Sequence, residues 1–215
     1  MTKPKVSLCL ASALFGLILL AACMGTSQSP QPIYYYTLEY SSPSQQFASV
    51  LPCTVRVERF SVSPPYNSQR IFYSHDGLQR NAYAYQQWVA SPGELLPYFL
   101  ARDLDQTNGF RAVMTPDAAL SATHSLYGWI QEFVEQDADS GWQASAIIHM
   151  TLISNQERDP TRKILLQKRY AATSVCKDKT PQSFAEAMSS AVADISKTVG
   201  ENIYDRLSTV ETLNY

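Results

Sequence analysis

Residues 1–22 set the terms for the rest of the chain, because they read as an address and not as structure. Lys3 and Lys5 give a basic start, Val6 to Leu20 is a nearly uncharged apolar run, and Leu20-Ala21-Ala22-Cys23 closes it with small side chains before a thiol. A signal peptidase needs small side chains in its narrow recognition subsites. The lipoprotein form of the signal also needs a cysteine at the new N-terminus to carry diacylglycerol and acyl chains such as palmitate. Ala22–Cys23 is therefore the expected cleavage point and Cys23 the expected lipid attachment site. The competing readings are a secretory signal with an incidental Cys23, or a spanning anchor, although the run is short of the about 20 residues that a span needs. In a Gram-negative envelope an Asp after the lipidated cysteine favours the inner membrane. Here Met24 follows, so the expectation is a lipid anchor on the periplasmic face of the outer membrane.

Residues 23–32 are rich in Gly, Ser, Gln and Pro and are expected to be a lipidated, flexible tether. The globular domain is then residues 33–215. With 45% hydrophobic and 17% charged residues the chain can bury a core and is not disordered. A net charge of −2, made more negative when Lys3 and Lys5 leave, argues against a nucleic-acid partner.

The domain opens with a strand at Ile33–Leu38, rich in aromatic and β-branched residues. A second spans 54–62, where the apolar spacing slips at Glu58-Arg59 and predicts a bulge or bend. Strands at 70–74 and 81–85 flank His75-Asp76-Gly77 and read as a hairpin. Ser91-Pro92-x-Glu94 is a helix start, predicting a helix over 92–107 that Gly109 stops and Pro97 perturbs. A strand at 110–114 makes this a strand–helix–strand crossover. Three longer strands, 125–135, 142–154 and 164–174, form an antiparallel meander. Thr180-Pro181 then starts an amphipathic helix of about 25 residues, with Phe184, Met188, Val192, Ile195, Val199, Ile203 and Leu207 on its stripe. The fold class is α/β, a single domain with a mixed sheet.

The sequence carries no motif of recognisable catalytic or metal-binding chemistry. His75, His124 and His149 have no metal-ligand spacing, Asp137-x-Asp139-x-Gly141 lacks the rest of a calcium loop, and there is neither a phosphate loop nor a nucleophile elbow. No catalytic residue, cofactor or metal is expected. An enzyme with a site assembled only by the fold is the alternative of a different class.

The ordered series Tyr35-Tyr36-Thr37-Leu38, Val55-x-Val57-x-x-Phe60-x-Val62-x-Pro64-Pro65-Tyr66, Ile71-x-Tyr73, Tyr83 to Trp88 and Ser91-Pro92, with the cysteine signal before it, resembles the ABC-type transport auxiliary lipoprotein family, including its PqiC-like members. The resemblance runs from about 33 to 207. It implies a three-layer α/β domain and a non-catalytic outer-membrane lipoprotein. Its partners would be a periplasmic MCE-domain protein and an inner-membrane ABC-type or related transporter for lipids or other hydrophobic molecules. It also implies a homo-oligomeric ring. An envelope assembly or structural lipoprotein unrelated to transport is the competing reading.

Two residue-level expectations remain. Tyr66, Tyr73, Tyr83, Tyr85 and Trp88 form an aromatic group that is either a partner-binding surface or core on one face. Cys53 and Cys176, the even pair left in an oxidising compartment, are either a disulfide or two small buried hydrophobes.

Overall fold

The computed structural model of the protein describes residues 30–213 apart from Asp76, Asp139 and Ser140. Residues 1–29, on which the expected signal peptide, Cys23 and most of the expected tether fall, lie outside the described residues. Among those described, one nine-stranded mixed sheet forms. Its strands are β1 (Tyr34–Tyr36), β2 (Leu51–Val57), β3 (Ser61–Val62), β4 (Arg70–Ser74), β5 (Asn81–Trp88), β6 (Phe110–Met114), β7 (His124–Ala138), β8 (Gly141–Ser154) and β9 (Ile164–Val175). The helices are α1 (Pro92–Gln106), the one-turn α2 (Pro160–Lys163) and α3 (Pro181–Leu213). The mixed α/β fold, the meander and the long C-terminal helix are as expected.

β7 is central, pairing with β2, β3, β4 and β8. β8 covers one of its edges antiparallel from His124↔Ser154 to Ala138↔Gly141, and β9 extends the meander. Three short strands occupy the other edge end to end, all parallel to β7: β2 at His124–Leu126, β3 at Trp129–Ile130 and β4 at Glu135–Gln136. The spacing slip at Glu58-Arg59 is thus a break between β2 and β3 and not a bulge within one strand. β5 returns antiparallel to β4, and β1 lies parallel beside β5. α1 then carries the chain to β6, whose parallel neighbour is β2. The crossover is present, although it returns beside β2 and not beside the strand that precedes the helix.

The helices dock where the sequence allows close approach. Pro97 has no N–H for the carbonyl of Gly93, and the Phe60 N–H donates to that carbonyl at 3.3 Å instead. Gly93 admits this contact because a Cβ there would stand 2.6 Å from the Phe60 oxygen. The Phe60 ring lies over Gly128, where an added Cβ would meet it at 2.5 Å. α1 starts as predicted, with the Glu94 carboxylate accepting from the Ser91 N–H and hydroxyl at 3.4 and 3.1 Å. It ends one residue early, since the left-handed residue is Asn108 (φ 52°) and not Gly109.

α3 lays its apolar stripe against β8 and β9, with Met188, Val199 and Ile203 fully buried. Thr180 caps it, accepting from the Ser183 N–H at 3.1 Å. The helix runs 33 residues, past the last buried stripe residue, because periodicity marks only the part that packs. α1 and α3 meet each other on the same face of the sheet, around Phe60, Ile148 and Met150.

The expected disulfide is not there. Cys53 and Cys176 are both buried, and no bridge joins them. The N–H of Thr54, next to Cys53, donates to the Thr123 hydroxyl at one end of β7, whereas the Cys176 N–H donates to the carbonyl of Trp142, the register partner of Asp137 at the other end. Some 14 strand residues separate the two ends, roughly 45 Å along a straight strand, far beyond the ~7 Å between Cα atoms that a disulfide permits. Burial, with the charge of Glu135 adding to it, pushes the Cys176 thiol up to about 11. Peptide mapping of the domain digested without reduction is expected to recover no peptide that links Cys53 to Cys176; such a linked peptide would contradict this arrangement.

Candidate functional site

The five aromatic residues do not form one surface. Trp88 is 1% exposed and packs between Phe133 (5.4 Å between ring centroids) and Phe184 (5.8 Å). Tyr66, on the helical turn Pro64–Tyr66, is buried edge-on against Phe72 and accepts a hydrogen bond from Arg80 Nε at 2.8 Å. These two are core, and neither can meet a partner. Tyr85, at 43% exposure, is the most open of the group.

Tyr73 and Tyr83 pair with each other at 4.8 Å between ring centroids and stand over a residue the sequence did not single out, Glu135. The Tyr83 hydroxyl lies 3.0 and 3.1 Å from its two carboxylate oxygens. Glu135 is 1% exposed, and this loss of hydration pushes its carboxyl up to about 7, although the hydrogen bond from Tyr83 opposes the shift. Nearby, the exposed His75 bonds Asp137 at 3.0 Å, and Lys179 reaches the same carboxylate at 3.5 Å. On the other side of the β4–β5 hairpin, Arg80 bonds Ser74 and Gly77 and faces Glu132 at 3.8 Å.

A strictly alternating β7 would turn Glu135 away from the core. A register irregularity between Ile130 and Glu132 shifts the alternation, so that Phe133 and Glu135 point inward. A bulge-shifted phase is the signal that could have located it.

A raised folded-state carboxyl gives stability that is complete below the unfolded value, 4.5, and lost as pH rises through about 7. The loss is on the order of 3–4 kcal/mol, at about 1.4 kcal/mol per pH unit between 4.5 and about 7. Glu135→Gln is therefore expected to flatten this part of the profile and to exceed the wild type in stability at pH 8. Urea unfolding of both proteins at pH 4.5 and 8 checks it, and parallel profiles would refute it.

The histidines remain apart. His124 is buried beside Thr123 and His149 lies tilted against Trp129, while His75 stays with Asp137. No cluster of three or more metal-ligating side chains occurs among the described residues. The buried Asp103 of α1 accepts from Tyr40 and Ser42 at 2.8 and 2.7 Å and pairs with Arg102, tying the loop after β1 to the helix.

The family model described as ABC-type transport auxiliary lipoprotein component matches residues 36–200, from β1 through most of α3. The chain belongs to this family. The fold of this auxiliary lipoprotein is also found in a solved protein from Xanthomonas campestris, with a TM-score of 0.71 at 12% identity, covering 85% of this chain and 99% of that one. A second solved structure, described as an uncharacterized protein, gives a TM-score of 0.64 at 13% identity, covering 80% of this chain and 99% of that one. At these identities the likeness is one of fold. No curated protein matches this auxiliary lipoprotein. None of its described helices is long and apolar enough to cross a membrane.

Proposed function

We propose that this auxiliary lipoprotein is a non-catalytic component held by Cys23 on the periplasmic face of the outer membrane. There it docks a periplasmic MCE-domain protein whose inner-membrane ABC-type or related transporter moves lipids or other hydrophobic molecules. The observation that carries the reading is the family match across nearly the whole domain, behind a Leu20-Ala21-Ala22-Cys23 signal. The polar clusters fit a docking role, since Glu135, Asp103 and Arg80 are each held by hydrogen bonds that tie elements of the fold together. ATP hydrolysis belongs to a separate subunit, and several copies assemble as a ring.

Co-purification from cross-linked, detergent-solubilised envelopes, read by mass spectrometry, tests it. Recovery of an MCE-domain protein with a permease and an ATPase is the expected result. Recovery of cell-wall or outer-membrane assembly factors in their place would overturn it.

A further inference from the structure

We propose that the β1–β5 edge of the domain rests on the bilayer that holds the lipid anchor, through a patch built from Ile33, Tyr34, Tyr35, Tyr85 and Val89. The inference builds on the reading of Cys23 as the lipidated residue. All five side chains are large and apolar or aromatic, and all are between 43% and 58% exposed. They lie together because Tyr34 pairs with Gln86 and Tyr35 with Gln87, which sets Tyr85 beside the start of β1, while the Val89 N–H donates to the Tyr36 carbonyl at 2.8 Å.

The occupant follows from where the chain goes. The ten residues from Cys23 to Pro32 reach at most about 33 Å when fully extended, and the residue they deliver is Ile33, the first of the patch. Acyl chains at Cys23 therefore keep the bilayer within reach of this edge. The side chains suit that neighbour, because tyrosine places an apolar ring and a polar tip at the level of lipid headgroups.

Charge points the same way. From Pro30 to Leu38 the sequence has no charged residue, and from Phe60 to Gly93 it has Arg70 and Arg80 with Asp76 as the one acid. Arg70 pairs with Gln87, beside the patch. An anionic headgroup layer would meet little repulsion here. A protein strand is a poorer occupant, since β1 has only three residues and offers a very short ladder to extend.

The test uses the full-length lipidated protein reconstituted into vesicles of phosphatidylethanolamine, phosphatidylglycerol and cardiolipin. The photo-cross-linker p-benzoylphenylalanine replaces, one at a time, Tyr34, Tyr35, Tyr85 and, as a control, Ile164. Ile164 is also 50% exposed but opens β9 at the opposite edge of the sheet. All four positions are exposed, so the core is left intact. Phospholipid adducts at 34, 35 and 85, at least tenfold more abundant than at 164, are the expected result. Equal labelling at 164, cross-links from 34 and 35 to protein alone, or no adducts from protein acylated at Cys23 would overturn the proposal while leaving the anchor standing. Protein without acyl label at Cys23 would overturn both.

Discussion

Trp88→Ala is expected to destabilise the domain by about 3–5 kcal/mol, the range for removing a fully buried aromatic side chain. The indole fills the space where β5, β7 and the start of α3 meet, with Phe133 and Phe184 on either side. Its two ring neighbours are held by a strand and a helix, and cannot collapse together to close the void. For a domain of this size the midpoint of thermal unfolding should fall by on the order of 10 °C, and Trp88→Phe should lose a fraction of that. Circular dichroism melts of the three proteins measure it. A loss below about 1 kcal/mol for the alanine variant would refute the core assignment and return Trp88 to the surface.

Cys23→Ser is expected to remove essentially all of the acyl label and to leave an unprocessed or soluble precursor with a folded domain and no function. Each buried CH₂ of an acyl chain contributes about 0.8 kcal/mol to membrane attachment, so the loss of several chains leaves nothing of comparable strength. Metabolic labelling with a fatty acid, followed by membrane fractionation, decides the matter. An unlabelled wild type would refute the anchor. A labelled wild type found in the inner membrane would refute only the sorting role of Met24.

The parts of the fold legible in the sequence are those whose causes are local. Ser91-Pro92-x-Glu94 and Thr180-Pro181 start helices through contacts within one turn, and the meander follows from three long strands with short turns between them. The division of one β7 edge among β2, β3 and β4 is not local. It depends on pairing between residues some 60–70 positions apart, such as Val55 with His124, and strand periodicity does not name a partner.

The candidate site failed to resolve for a related reason. Tyr73, Tyr83 and Tyr85 alternate along their strands as core and surface residues both do, and Tyr66 and Trp88 carry no mark of burial in themselves. Glu135 was missed because one irregular position in β7 inverts which side chains face inward. The cysteine pair misled for want of distance, since a parity argument counts thiols without placing them.

The shared edge of β7 bears on how the protein is made. Every parallel pairing of β2, β3 and β4 with β7 waits for residues 124–138, so a chain emerging N-terminus first has no template for these strands until more than half of it has been delivered. Loop closures of this length slow folding. A truncated chain ending before His124 is left with the β4–β5 hairpin, β1 beside β5, and the β2–β6 pair, with nothing to join them. The two halves of the sheet are thus joined only once β7 is available, which favours assembly of the domain in one late event.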